Sequence, residues 1–330
     1  MKATSREMAR DSSMANGPMP ASPVVVPFSD PNWTAKGERR AVVPFAGLKT
    51  LWVNTGTLCN ITCVGCYIES SPRNDALAYI SRDEMTAILA QAAAAPVHPQ
   101  EIAFTGGEPF MNPHMMGILE DVLAAGFETL VLTNAMKPMQ HRKAALLDLH
   151  TRYPGKIRIR VSVDHYELEK HEQIRGDRTF APAMEGIRWL SESGFDLAIA
   201  GRLLWNESEE ELRKGYQGFF EASGIDVDAH DRTRLVLFPE MDETAKVPEI
   251  SEGCWTILKS SPSNMMCATE RMVVKRKGAD APVYVACTLI PHDPGFELGA
   301  TLEEASRPVS LNHRHCAKFC VLGGASCSGG

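Results

Sequence analysis

The feature of this sequence that most restricts its fold is a regular alternation of strand-like and helix-like segments, which starts near residue 48. Short runs rich in β-branched and aromatic residues are each followed by a longer segment with helical end signals. Six such units in succession predict a parallel sheet with right-handed crossovers. The predicted strands are Leu48–Asn54, Glu101–Thr105, Thr129–Thr133, Ile157–Val163, Leu197–Leu203 and Arg234–Phe238. Because six units are too few for a closed eight-stranded barrel, we expect an α/β fold built on a partial (β/α)6, TIM-like barrel.

The helical segments carry recognisable start and stop signals. Ser81-Arg-Asp-Glu84 and Ser208-Glu-Glu-Glu211 match the capping box, in which the first and fourth residues satisfy each other's backbone N–H groups. Asn112-Pro113 predicts an N-cap followed by a proline at the first helical position, and Gly126 is placed to end that helix.

The segments on either side of the alternation differ from it. Residues 1–44 carry scattered Pro, Ser, Met and Gly without periodicity and are predicted to form a mobile N-terminal arm. The barrel is expected over 45–245. In 246–330, Arg271–Lys277 and Val283–Ala286 predict a hairpin, and the last fifteen residues are rich in Cys and Gly without a core-forming pattern. We therefore expect a small cysteine-rich α+β extension held together by metal ligation.

Composition narrows the class of protein. The net charge of −7 argues against broad nucleic-acid binding, which needs a basic face. No apolar run approaches the roughly 18–20 residues that cross a bilayer, and the N-terminus lacks the apolar core of a signal peptide. These features predict a soluble cytoplasmic protein with no membrane partner.

Nine cysteines are more than such a protein needs, and three of them, Cys59, Cys63 and Cys66, fall within eight residues. They directly follow the first predicted strand, where parallel α/β sheets form ligand sites. Clustered cytoplasmic cysteines more often bind metal than form disulfides. Three thiolates can hold three irons of a [4Fe–4S] cluster and leave the fourth open to a small molecule. A zinc site, which would need a fourth ligand, and three packing cysteines are the alternatives.

Two motifs together resemble the radical S-adenosylmethionine (SAM) superfamily. The first is the C-x3-C-x2-C spacing followed by an aromatic residue, Tyr67, and the second is Thr105-Gly-Gly-Glu-Pro109 at the end of the second predicted strand. The resemblance covers roughly residues 45–240. It implies that the three cysteines hold a [4Fe–4S] cluster and that Gly106, Gly107 and Glu108 hold the amino group of SAM. Glycines suit close backbone approach to a ligand, and a carboxylate can pair with an ammonium.

Weaker similarities lie at the ends of later strands. Asn134, Ser162 and Arg202 are similar in position to residues that contact the ribose or carboxylate of SAM in the family, and the aromatic Tyr67 belongs to the same candidate set. Each could equally be a strand-end polar residue. The family chemistry implies chelation of the unique iron by SAM, reductive cleavage to a 5′-deoxyadenosyl radical, and hydrogen abstraction from a substrate. It also implies an electron donor such as flavodoxin or ferredoxin.

The cysteines after residue 250 resemble the twitch and SPASM extensions that follow the barrel in many of these enzymes. Two fully ligated [4Fe–4S] clusters need eight cysteines, and six are available here, which favours one auxiliary [4Fe–4S] cluster. The expected ligands are Cys267, Cys287 and Cys316, with Cys320 or Cys327 as the fourth. Two clusters with open irons, or a zinc site completed by His313 or His315, are the alternatives. Cys254, beside Trp255, is expected to be a packing residue.

Three functions fit these features. The first is oxidation of a small molecule or peptide, with the auxiliary cluster accepting an electron. The second is a redox-neutral cyclisation or rearrangement with the substrate anchored at an open auxiliary iron. The third is a non-catalytic iron–sulfur or zinc protein. Four cysteine ligands at the auxiliary site would favour the first over the second.

Overall fold

The fold is built on one nine-stranded sheet, seen in a computed structural model that describes residues 26–96, 98–240 and 246–324. The strands are β1 (Val42–Val43), β2 (Thr50–Asn54), β3 (Glu101–Thr105), β4 (Glu128–Thr133), β5 (Ile157–Ser162), β6 (Asp196–Leu203), β7 (Leu235–Pro239), β8 (Glu270–Val274), β9 (Val283–Val285), β10 (Glu297–Gly299) and β11 (Val309–Ser310). In the large sheet the order is β10-β9-β8-β2-β3-β4-β5-β6-β7, and the strands from β8 to β7 are parallel.

Helices connect the parallel strands. They are α1 (Arg82–Ala94), α2 (Met115–Ala124), α3 (Lys137–Gln140), α4 (Lys143–Arg152), α5 (Leu168–Arg175), α6 (Phe180–Glu192), α7 (Glu209–Ser223), α8 (Cys254–Leu258) and α9 (Leu302–Ala305), with a π-helix at Cys316–Val321. The predicted α/β class is confirmed, and each of the six predicted strands begins and ends within two residues of its observed bounds. No described helix is long and apolar enough to cross a membrane.

The local end signals were mostly correct. Ser81 and Ser208 form complete capping boxes with Glu84 and Glu211. The start predicted for α2 was wrong, because the helix begins at Met115. The Asn112 side chain instead accepts from the His114 N–H at 2.9 Å and donates to the Ile80 carbonyl at 2.9 Å, so it ties two loops together.

The C-terminal segment continues the core sheet. The predicted hairpin is present as β8 and β9, which pair antiparallel. β8 also lies parallel to β2, with Thr50 opposite Glu270, and the Trp52 indole donates to the Glu270 carboxylate at 2.6 Å. The cysteine-bearing extension is thus built directly against the strand that leads to the cysteine triplet.

The predicted mobile arm was wrong for its described part, residues 26–44. β1 pairs with β11, and the fully buried Arg40 guanidinium lies 2.6 Å from the Glu249 carboxylate. The same guanidinium donates to the carbonyls of Trp33 at 2.8 Å and Leu311 at 3.3 Å. Burial of an arginine with these partners docks the segment on the C-terminal part of the chain. Residues 1–25 lie outside the described residues.

Candidate iron–sulfur and SAM site

The three clustered cysteines open onto one cavity at the carboxyl ends of the parallel strands. The cavity holds about 1040 Å³ of empty space, including its mouth. Six of the predicted SAM-contacting residues line it together with the three thiols. They are Tyr67, Gly106, Gly107, Asn134, Ser162 and Arg202. The eight cysteines among the described residues form no disulfide, so the three thiols are available as ligands.

The two glycines allow the second loop to approach the cysteine loop. Gly106 has a φ of +135°, and a Cβ there would lie 2.6 Å from the Gly56 carbonyl oxygen. At Gly107 a Cβ would lie 2.2 Å from the Leu58 carbonyl oxygen. The backbone N–H of Gly107 donates to the Gly56 carbonyl at 2.8 Å. The absence of side chains at the two glycines thus lets two backbone segments pack closely beside the cavity. This is a role in addition to the predicted close approach to a ligand.

Glu108, the third residue of the motif, is held by the residues around it. Its carboxylate is buried and does not line the cavity. It accepts from the Thr133 hydroxyl at 2.9 Å, the Asn134 N–H at 2.9 Å and the Phe110 N–H at 3.2 Å. Burial raises the pKa of this carboxyl to about 7, against the effect of those donors. These hydrogen bonds connect Glu108 to the end of β4, and its predicted role in binding the amino group of SAM stays a prediction.

Cys59 is the most enclosed of the three thiols. Burial raises its pKa to about 12, so iron binding must displace a proton from it. The Asn134 amide nitrogen lies 3.9 Å from its Sγ and donates to the Asn60 side-chain oxygen at 2.8 Å. Asn134 therefore positions the first cysteine of the loop.

The second half of the cysteine loop is held by α5 and β6. The Val64 N–H donates to the Ile174 carbonyl at 2.8 Å, and the Arg202 guanidinium donates to the Val64 carbonyl at 3.2 Å. Burial raises the pKa of Cys63, while the cation of Arg175 opposes that shift. Two arginines beside the loop favour thiolates and the anionic carboxylate of a ligand such as SAM.

Further described residues line this cavity, and sequence reasoning missed the apolar ones among them. Arg175 and Asp164, whose Nε and Oδ2 atoms lie 2.7 Å apart, form a buried ion pair on its wall. Phe238, Leu289 and Phe319 also line it. The last two come from the C-terminal extension, and no local sequence signal relates them to a site that begins at residue 59.

A second, smaller cavity gathers the auxiliary candidates. Four cysteines, Cys267, Cys287, Cys316 and Cys320, line a space of about 370 Å³ whose other walls are mainly apolar. His315 also lines it, whereas His313 does not. Cys254 lies elsewhere, with its Sγ accepting from the Ser251 N–H at 3.4 Å. Cys327 lies outside the described residues.

The auxiliary thiols lie beside a buried arginine. Burial raises the pKa of Cys267 to about 12 and of Cys287 to about 11. The Arg271 guanidinium donates to the carbonyls of Cys267 at 2.5 Å and Ala305 at 2.7 Å, and it lies over the Phe45 ring at 4.4 Å. A fixed positive charge here favours ionisation of the neighbouring thiols, and burial lowers its own pKa to about 10.

The donor sets fit iron–sulfur clusters. Thiolates are the ligands of [4Fe–4S] clusters, which distribute their cysteines over several irons. Within the described ranges no three His, Cys, Asp or Glu side chains gather closely enough to hold one metal ion. Three cysteines beside an open cavity suit a cluster with one free iron, and four cysteines around a closed cavity suit a fully ligated one.

Comparison with known proteins agrees with this geometry. Residues 53–215 match the family model of the radical SAM superfamily. This segment is a radical SAM domain. The match contains both the cysteine triplet and the Gly-Gly-Glu segment, so the family resemblance of the two motifs is confirmed.

Two kinds of curated relative are similar to the radical SAM part. The Bacillus subtilis antilisterial bacteriocin subtilosin biosynthesis protein AlbA is 34% identical over 143 residues, which cover 43% of this chain and 30% of AlbA. The GTP 3′,8-cyclase of Rhizobium etli is 26% identical over 177 residues, which cover 51% of this chain and 48% of the cyclase. The matched segments thus span about half or less of these relatives.

Solved structures share the fold. The crystal structure of Streptococcus suis SuiB bound to S-adenosylmethionine aligns with a TM-score of 0.57 at 14% identity, over 77% of this chain and 64% of SuiB. The structure of polyhistidine-tagged anSMEcpe with bound AdoMet aligns with a TM-score of 0.56 at 15% identity, over 82% and 83% of the two chains. The predicted partial-barrel architecture of this superfamily is therefore confirmed at the level of fold.

Proposed function

We propose that this protein cleaves SAM reductively and uses the radical to oxidise a peptide substrate. Cys59, Cys63 and Cys66 would hold the SAM-binding [4Fe–4S] cluster. A fully ligated auxiliary [4Fe–4S] cluster would accept an electron from the substrate. The observation that carries the proposal is that the two cysteine-lined cavities are neighbours.

Leu289 is the residue that the two cavities share, since it lines both. Phe319 lines the larger cavity and belongs to the π-helix that carries Cys316 and Cys320. An electron that leaves a substrate in the larger cavity would cross this apolar wall to reach the auxiliary thiols. Such proximity supports the auxiliary site as an electron acceptor.

The chain's own residues have distinct tasks in this proposal. Asn134 and Ser162 present polar groups at the ends of β4 and β5, and Arg202 offers a cation to a carboxylate. Gly106 and Gly107 bring backbone polar groups to the cavity wall. When bound, the cluster supplies the electron that converts SAM to methionine and a 5′-deoxyadenosyl radical, which abstracts a substrate hydrogen. The apolar Phe238 and Phe319 walls exclude water from that step.

A peptide is the substrate class that the relatives favour. AlbA takes part in the biosynthesis of the bacteriocin subtilosin, and SuiB has been crystallised bound to its precursor peptide SuiA. The second candidate is a redox-neutral cyclisation, which the similarity to GTP 3′,8-cyclases favours. Four cysteines around the auxiliary cavity support the oxidation, because full ligation leaves no iron open for a substrate.

Anaerobic reconstitution tests the proposal. We expect about eight irons per chain, four for each cluster, and formation of 5′-deoxyadenosine after addition of dithionite and SAM. A Cys59→Ala/Cys63→Ala/Cys66→Ala variant should hold about half the iron and form no 5′-deoxyadenosine. A Cys267→Ser/Cys287→Ser variant should lose the other half and keep SAM cleavage. Equal iron content and SAM cleavage in wild type and the triple variant would contradict the proposal, and deuterium transfer from labelled peptides would identify the substrate.

A further inference from the structure

A surface groove lies on the far side of the cysteine loop from the cavity that the three thiols line (the SAM cavity). It is an open surface groove with about 1300 Å³ of empty space, including its mouth. Ile61 lines both the groove and the SAM cavity, and Asn60 lines the groove directly after Cys59 in the chain. The cysteine loop is therefore the partition between an internal site and an external surface.

Hydrogen bonds connect the groove to the first cysteine. The Asn134 amide donates to the Asn60 side-chain oxygen at 2.8 Å and lies 3.9 Å from the Cys59 Sγ. The Asn60 amide in turn lies 3.8 Å from the Sδ of Met136, which lines the groove. A molecule seated in the groove would be separated from a cluster ligand by one layer of side chains.

The groove is positively charged, although the chain as a whole carries a net charge of −7. Lys137, Arg142 and Arg178 line it, together with His141. No acidic side chain stands among the described lining residues, and none of the three cations has an ion-pair partner in the described part of the chain. Exposed Lys137 and Arg178 and the half-buried Arg142, without counter-ions and beside apolar Met136, are typical of a surface that binds an acidic partner.

We propose that this groove is the docking site of an acidic one-electron carrier protein, of the flavodoxin or ferredoxin type, that reduces the cluster at Cys59. The carrier would lose one electron, a flavin hydroquinone becoming a semiquinone, and the cluster would gain it. A peptide substrate bound in this groove would not meet the radical, because Ile61 separates the groove from the cavity in which the radical forms. This inference rests on the proposed function and names the partner of the same cluster.

Comparing two reductants distinguishes an effect on docking of the carrier from an effect on SAM cleavage. Dithionite is a small molecule that reduces the cluster without binding to a protein surface. The test variant is Lys137→Glu/Arg142→Glu/Arg178→Glu. The control, Lys36→Glu/Lys214→Glu/Lys246→Glu, makes the same change in net charge at exposed positions outside the groove. Formation of 5′-deoxyadenosine is measured with dithionite and with an acidic flavodoxin kept reduced by its NADPH-dependent reductase.

We expect the groove variant to raise the KM for flavodoxin by at least about tenfold, since charge steering is worth about 10–1000-fold in association. Its iron content and dithionite-driven rate should match the control. Flavodoxin-driven turnover of the wild type should fall as NaCl rises to about 0.3 M, while the dithionite-driven rate stays constant.

An unchanged flavodoxin KM in the groove variant, or a larger KM for the peptide substrate instead, would overturn the docking proposal. If the groove variant fails to retain iron, the docking proposal is tested instead with a milder variant and with the salt dependence of the wild type. The milder variant is Lys137→Gln/Arg142→Gln/Arg178→Gln. A salt-independent flavodoxin-driven rate would then refute the inference. Absence of dithionite-driven cleavage in the wild type would refute the proposed function itself, which is a separate outcome.

Discussion

Gly107→Ala is the substitution with the most sharply defined consequence for the site. The new Cβ would lie 2.2 Å from the Leu58 carbonyl oxygen and 2.5 Å from its carbon, whereas ordinary contacts begin near 3.4 Å. The backbone segments at Gly107 and Leu58 must therefore move apart by roughly 1 Å. The backbone N–H groups of Gly107 and Glu108 oppose this, since they donate to the carbonyls of Gly56 at 2.8 Å and Leu58 at 3.1 Å.

The displacement is transmitted to Cys59, which follows Leu58 directly. Overpacking costs about 1–3 kcal/mol and a lost hydrogen bond about 1 kcal/mol, so we expect the free energy of unfolding to fall by about 2–4 kcal/mol. A misplacement of about 1 Å at a reacting group costs about 100-fold in rate. The dithionite-driven rate of 5′-deoxyadenosine formation should fall by that order, with weaker retention of iron.

Urea denaturation, iron analysis and the single-turnover rate are measured in parallel on Gly107→Ala and on Gly218→Ala. Gly218 lies inside α7, and a Cβ there meets no atom within 4 Å. This control should leave iron and rate unchanged and raise stability by up to about 1 kcal/mol. If the two variants have the same stability, iron content and rate, the steric reasoning about the Gly-Gly-Glu loop is refuted.

Three further predictions test other parts of the structure. Arg40→Met leaves the Glu249 carboxylate without its cation and should cost about 3–5 kcal/mol in urea denaturation; no loss would mean that residues 26–44 are not docked. Because the pKa of Glu108 is raised to about 7 in the fold, its contribution to stability is fully present below pH 4.5 and is lost as the pH rises through 7. The free energy of unfolding of Glu108→Gln should therefore rise, relative to that of the wild type, by up to about 3 kcal/mol between pH 4.5 and 8. A difference that stays constant with pH would contradict the burial argument. Cys320→Ser should lower the auxiliary iron content while Cys254→Ser leaves it unchanged, and the opposite ranking would refute the assigned ligand set.

Much of the architecture was predictable because its signals are local. The alternation of strand-like and helix-like segments can be recognised in short stretches of sequence. The capping boxes at Ser81 and Ser208 likewise join residues that are only three positions apart. The cysteine triplet was equally readable, since its three ligands fall on one loop.

Interactions between distant residues were not predictable in this way. The sequence around Arg40 shows no partner, and Glu249 is 209 residues away, so the docked segment 26–44 resembled a mobile arm. Glu108 matched a ligand motif, but the motif does not show the donors that the neighbouring end of β4 supplies to its carboxylate.

The sequence by itself determined the α/β class, the position of the cysteine triplet and the family, because spacing along the chain is enough to place three thiolates on one loop. Only the tertiary structure decided that Cys320 joins the three expected cysteines around one cavity and that Leu289 lies between this cavity and the larger one. The parallel pairing of β8 with β2 made that arrangement. Such pairing depends on burial over more than 200 residues of intervening chain, which no local pattern encodes.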